Sequence, residues 1–134
     1  MTKTKFVASG LIRSLVEPRL PGWVEPHWFM SKDEALALAP TAEIGWFDMY
    51  DKAAMREIIL AATKLKWLNS IYAGVDDIPT AELRARGTKL TNGAGINAIT
   101  IAEYVVMGML TTAKGYRDVV HAQEKHEWLL DSPG

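Results

Sequence analysis

The segment Ser70-Ile71-Tyr72-Ala73-Gly74-Val75-Asp76 carries no bulky side chain at its tip, Ala73-Gly74. Backbone N–H groups in such a loop can approach an anion closely, and successive amides in a tight turn form an anion-binding concavity. The loop follows the segment Lys66-Trp67-Leu68-Asn69-Ser70-Ile71, which reads as a buried strand. In an open parallel sheet, ligands collect at the carboxyl ends of strands, which is where such a loop lies. The competing reading is a simple turn, in which Gly74 supplies an unusual φ and Asp76 caps the next helix. From the residues alone the simple turn is the commoner case.

A second glycine loop, Gly93-Ala94-Gly95-Ile96-Asn97-Ala98, matches G-x-G-x-x-A between a strand-like and a helix-like segment. A dinucleotide fingerprint also requires a second strand, ending in an acidic residue that holds the ribose. No such strand follows, and Asp118 falls in a helical stretch. A pyrophosphate site is therefore not expected here, and the glycines serve to turn the chain into the helix. Asn97 is an N-cap candidate for that helix. Glu103 suits the positive end of the helix dipole and reads as structural. His121 and His126 are five residues apart, a poor spacing for one helix face, and His27 stands beside a short strand. No metal site is expected. The five tryptophans read as packing residues, with Trp46-Phe47 able to line a pocket at the end of a strand. Asp48 follows that strand as a response-regulator phosphoacceptor would, but no acidic pair follows the first strand.

The elements that must position these groups alternate. Strands are expected at residues 6–10, 26–30, 42–47, 66–71 and 88–91. Helices are expected at 11–20, 31–38, 51–64 and 79–86, with Ser31 and Glu34 as a capping box and Gly87 as a C-cap. One long helix is expected from Asn97 to about Glu127, buried in its apolar first half and solvated in its second. Alternation of this kind predicts an α/β layer fold around a parallel sheet of about five strands.

A chain of 134 residues can bury a core as one domain, and 49% hydrophobic with 23% charged residues is ordinary for a globular protein. The net charge of -1 gives no nucleic-acid footprint. No cysteine is present, which excludes disulfides and thiolate chemistry and fits a reducing cytoplasm. The N-terminus has too short an apolar run for a signal peptide, and Glu103 interrupts the longest apolar stretch, so no membrane span is expected.

The stretch from Leu65 to Leu110 resembles the D-isomer-specific 2-hydroxyacid dehydrogenases, the family of phosphoglycerate, formate and D-lactate dehydrogenases and glyoxylate/hydroxypyruvate reductases. The resemblance extends from about Ala42 to Trp128. Its motif runs from Ala73-Gly74-Val75-Asp76 through Thr91-Asn92 to Ala102-Glu103, matching in spacing as well as letters. It implies a flavodoxin-like substrate domain over residues 1–96, followed by an interdomain and dimerisation helix over 97–130. By position, the N–H groups of Ala73 and Gly74 would hold the carboxylate of a small 2-oxo or 2-hydroxy acid, with Tyr72 shaping the pocket wall. Asn97 would lie near the substrate, and Thr100 near the nicotinamide end of the cofactor.

The family's nucleotide domain would come next, with the catalytic arginine, glutamate and histidine in and after it. None can be placed on this sequence, so no catalytic residue is assigned. The cofactor of the full-length enzyme would be NAD or NADP, with none expected to bind tightly to this chain. The tail Asp131-Ser132-Pro133-Gly134 reads as a cut linker, as in an isolated substrate domain, a proteolytic remnant or a naturally short protein. Two other classes remain open. One is a stand-alone flavodoxin-like binding or regulatory module; the other is a dimerisation module built on the long helix.

Overall fold

The structure is a computed structural model that describes residues 3–131. The last three residues of the expected linker lie outside that range. The chain divides between Ala94 and Gly95 into two units.

The first unit is a five-stranded parallel sheet. Its strands are β1 (Thr4–Ser9), β2 (Val24–Phe29), β3 (Ile44–Trp46), β4 (Trp67–Asn69) and β5 (Lys89–Thr91). Their order across the sheet is β2-β1-β3-β4-β5. This is the doubly wound, flavodoxin-type order, which reverses direction between β1 and β3. The pairing register sets Phe6 against Pro26 and Ile44, and Leu68 against Leu90.

β1 is buried on both faces, which is why it reads as a continuous apolar run. Val7 faces one layer with Phe29, Phe47, Ile58, Ile59, Leu68, Ile78 and Leu83. Phe6 and Ala8 face the other, with Val24 and the partly buried Ile12, Val16 and Trp28. The larger layer is covered by α2 (Lys32–Leu38), α3 (Lys52–Ala61) and α4 (Thr80–Ala85). The smaller is covered by residues 10–19, where the expected short helix is one turn, α1 (Arg13–Val16), between two 3-10 turns. Pro18 removes an N–H donor and disfavours a longer α-helix there.

Local chemistry sets the helix ends. The Ser31 hydroxyl accepts from the Glu34 N–H (3.2 Å), and the Glu34 carboxylate accepts from the Met30 N–H (2.7 Å). The Asp51 carboxylate accepts from the Ala54 N–H at 2.9 Å and starts α3. At the end of α4, Gly87 has φ 71°. There the Thr88 N–H reaches the Leu83 carbonyl and the Gly87 N–H reaches the Arg84 carbonyl, a Schellman closure. Glu43 ties three strand starts together. It accepts from the Lys66 ammonium at 2.6 Å and from the Lys5 N–H at 3.2 Å. Those bonds, the Lys66 one foremost, hold its carboxyl below the usual range.

The second unit corrects the expectation of one long helix over residues 97–127. It holds two helices, α5 (Ala98–Ala113) and α6 (Tyr116–Glu124). Gly115 separates them with φ 54°, a left-handed conformation that ends α5 and that glycine adopts without steric cost. The apolar first half is not buried as expected: no residue of α5 is. Its own unit offers it only α6 to pack against. Among the described residues no helix is long and apolar enough to cross a membrane.

Candidate functional site

The site grows from the carboxyl ends of β3 and β4. β3 ends at Trp46, and its neighbour Phe47 turns into the core, 1% exposed. Phe47 therefore does not line a pocket as the sequence suggested, whereas Trp46 does. Asp48 comes next, and its carboxylate accepts three hydrogen bonds. The Trp46 indole N–H donates at 2.8 Å, the Ser70 hydroxyl at 2.8 Å, and the Ile71 N–H completes the set. Ser70 is buried, and its hydroxyl also accepts from the Tyr72 N–H at 3.2 Å.

The same loop is gripped from the other side by the end of β5. The Asn92 side-chain amide donates to the Ala73 carbonyl at 2.7 Å, and the Gly93 N–H donates to the Tyr72 carbonyl at 3.0 Å. The N–H groups on the near side of the tip, at Ile71 and Tyr72, are thus occupied. Among the described residues, no hydrogen bond takes up the N–H of Ala73, Gly74 or Val75.

Neither support for a simple turn is present. Gly74 is not among the positive-φ glycines. Asp76 does not cap α4, whose N-cap is Pro79 without a side-chain bond. The loop is held by tertiary contacts, and its free amides have no structural partner.

Two cavities flank Tyr72. One, about 340 Å³, lies at the switch point between β1 and β3 and is lined by Ser9, Trp46, Asp48, Tyr50 and Tyr72 among others. Lys32 also lines it, paired to Glu57 at 2.7 Å, and that bond raises its pKa above the usual lysine range. The other cavity, about 250 Å³, is lined by Lys52, Met55, Tyr72, Ala73, Gly74, Asp76, Asp77 and Ile78. The Lys52 ammonium sits 3.2 Å from the Tyr72 ring centroid and donates to the Met49 carbonyl at 3.2 Å.

The structure thus brings Tyr72, Ala73 and Gly74 together on one cavity. Asn97 and Thr100 belong to the second unit. Asn97 stands at the N-cap position of α5 but makes no side-chain cap bond, so its expected capping bond is not formed. The turn into α5 is made by Gly95, with φ 86°. Thr100 is exposed in the first turn. The histidines do not converge. His27 meets Glu25 at 2.9 Å and His121 meets Glu124 at 3.4 Å. No group of three or more potential metal ligands occurs among the described residues.

Two residues escaped the sequence reading. By its place in the sequence Asp48 reads only as a phosphoacceptor, and its role as an anchor depends on Ser70, 22 residues away. Lys52 left a faint signal: it is the first residue of a helix, where a cation opposes the helix dipole.

Replacing Asp48 with Ala should leave the Ser70 hydroxyl and Trp46 indole without their acceptor. The expected cost is about 1–3 kcal/mol in urea unfolding. Amide exchange should rise first at Ile71 and Tyr72. Unchanged exchange there would show that the loop does not depend on this carboxylate.

The family model of the D-isomer specific 2-hydroxyacid dehydrogenase catalytic domain matches residues 14–126. Erythronate-4-phosphate dehydrogenase of Shewanella amazonensis is 41% identical over 54 residues, 40% of this chain and 14% of that protein. Among solved structures, a D-isomer specific 2-hydroxyacid dehydrogenase family protein from Aeromonas salmonicida aligns with 96% of this chain and 41% of its own. Its TM-score is 0.68 at 22% identity. The NADPH-dependent glyoxylate/hydroxypyruvate reductase of Sinorhizobium meliloti, in complex with NADP and malonate, aligns with 95% of this chain and 40% of its own. Its TM-score is 0.58 at 17% identity. These structural likenesses carry the fold, and this chain spans less than half of each of the three proteins. With a five-stranded parallel sheet in flavodoxin order and a family match over most of its length, the chain belongs to the D-isomer specific 2-hydroxyacid dehydrogenases.

Proposed function

We propose that this chain is the substrate-binding portion of a soluble, cytoplasmic NAD(P)-dependent oxidoreductase that interconverts a small D-2-hydroxy acid and its 2-oxo acid. The N–H groups of Ala73 and Gly74 hold the acid's carboxylate, and Tyr72 forms the wall of the pocket. The observation that carries this reading is the unoccupied amide run that begins at Ala73, directly after the bonded N–H groups of Ile71 and Tyr72 at the end of β4. Asn97 contributes to the substrate site and Thr100 to the nicotinamide site in the complete enzyme. Residues 1–96 form the substrate domain, and 97–130 the interdomain and dimerisation segment.

The residues present do not fit the pyrophosphate of NAD or NADP. The glycine loop between β5 and α5 is followed by two helices, with no further strand among the described residues to complete a dinucleotide-binding unit. Hydride transfer needs an oriented cofactor, and its partner proton needs an acid–base group within hydrogen-bond reach. No residue described here is assigned to either role.

Titration with glyoxylate, pyruvate or hydroxypyruvate should move the amide signals of Tyr72, Ala73 and Gly74. Binding should be weak, because a water-exposed site weakens charge-assisted hydrogen bonds. Shifts confined to residues far from this loop would overturn the assignment. Purified protein of this length should show no turnover of NAD(P)H with the same acids; measurable oxidation of the nicotinamide would refute the division of labour.

α5 supports a homodimer as the second part of the reading. Ile101, Val105 and Met109 are 61%, 55% and 66% exposed at helical spacing. An apolar stripe of this size is unfavourable in water. Sedimentation should show self-association, and Val105→Glu should weaken it while leaving the sheet folded. A clean monomer at high concentration would remove this part.

A further inference from the structure

We propose that Lys52 supplies the positive charge that pairs with the bound acid's carboxylate, making it a specificity residue for anionic over neutral 2-oxo compounds. The inference rests on the reading of Ala73 and Gly74 as the carboxylate-binding amides. Three observations carry it.

First, Lys52 is the first residue of α3 and half-buried. A cation there opposes the positive helix end, which costs stability unless something else gains by it. Second, no carboxylate lies within ion-pair distance of Lys52 among the described residues. Lys32 and Lys66, by contrast, have Glu57 and Glu43 as partners. The adjacent Asp51 carboxylate is taken up by the Ala54 N–H. The Lys52 ammonium instead rests on the Tyr72 ring at 3.2 Å and the Met49 carbonyl at 3.2 Å. Both hold a cation in place without neutralising it. An ammonium has three donor hydrogens, so capacity for an anion remains.

Third, Lys52 is the positive group among the residues that line the cavity. The side chains lining the 250 Å³ cavity include Lys52, Asp76 and Asp77 as the only charged groups. Asp76 and Asp77 oppose an anion approaching the Ala73 and Gly74 amides, and Lys52 offsets part of that repulsion. With it, an ammonium and two N–H groups can face one carboxylate, a charge-assisted set of the strong kind. The cavity is small for a ligand pocket, which suits an acid of a few carbons.

The test uses pyruvate and its uncharged isostere pyruvamide, with binding read from backbone amide shifts on the chain and on Lys52→Met, Lys52→Gln and Lys52→Arg. Pyruvate should shift Ala73 and Gly74 in the unaltered chain, pyruvamide should not, and added salt should weaken pyruvate binding. Lys52→Met should lower pyruvate affinity by about tenfold or more. Lys52→Gln should behave alike and stands in should the methionine variant misfold, whereas Lys52→Arg should retain most of the affinity. A purely structural lysine would give neither the salt dependence nor the rescue by arginine. If pyruvate shifts the loop equally with and without Lys52, or pyruvamide binds as well as pyruvate, the role of Lys52 is overturned and the amide site stands. If pyruvate moves neither Ala73 nor Gly74 in the unaltered chain, the amide site itself is wrong and Lys52 falls with it.

Discussion

The site hangs on one carboxylate. Asp48 ends the turn out of β3 and takes three donors, two of them from the loop that leaves β4. A carboxylate so bonded is satisfied and does not seek the amides further along. By engaging Ser70 and Ile71 it sets the register of the loop. Asn92 and Gly93 then engage the next two carbonyls from the opposite side. These anchors use the Ile71 and Tyr72 amides and the Tyr72 and Ala73 carbonyls, and the amides of Ala73, Gly74 and Val75 have no internal partner among the described residues.

That arrangement depends in turn on the sheet. Asp48 and Ser70 are neighbours only because β3 and β4 pair in parallel, with Ile44 opposite Trp67 and Gly45 opposite Leu68. Parallel pairing places the carboxyl ends of successive strands on the same edge, and the reversal of strand order between β1 and β3 opens a crevice there. The larger cavity occupies that crevice, and the smaller lies beside it, across Tyr72. The buried layer under α3, with Ile58 and Ile59 fully enclosed, fixes the helix whose first residue is Lys52. Core packing and site charge are linked through that helix.

Several features were legible from local chemistry. The alternation of apolar runs with helical patterns marks a parallel α/β fold, because a strand buried on both faces must be apolar throughout and its crossover must be amphipathic. The capping box at Ser31 and the glycine closure at Gly87 were readable because a cap is an interaction between residues three to five apart. The break at Gly115 is also local, yet it does not show in the sequence pattern. A single glycine within a helical pattern costs only about 1 kcal/mol, so the residue type alone does not say whether the helix continues. The left-handed φ that ends α5 decides it.

The sequence by itself determined the five strands, their alternation with helices in the first unit, and the small-residue loop at the end of β4, since these follow from periodicity, turn chemistry and side-chain size within a few residues. Only the tertiary structure decided which loop amides are free. That depends on Asp48 reaching a serine 22 positions away and Asn92 a carbonyl 19 positions away. It also decided that Lys52 rests on the Tyr72 ring in a cavity it shares with Asp76 and Asp77, charges whose mutual positions come from strand order and helix docking. A linear pattern records which groups exist. Whether a donor is satisfied or a charge is paired is a property of distances, and those are settled by the packing of the sheet and its helices.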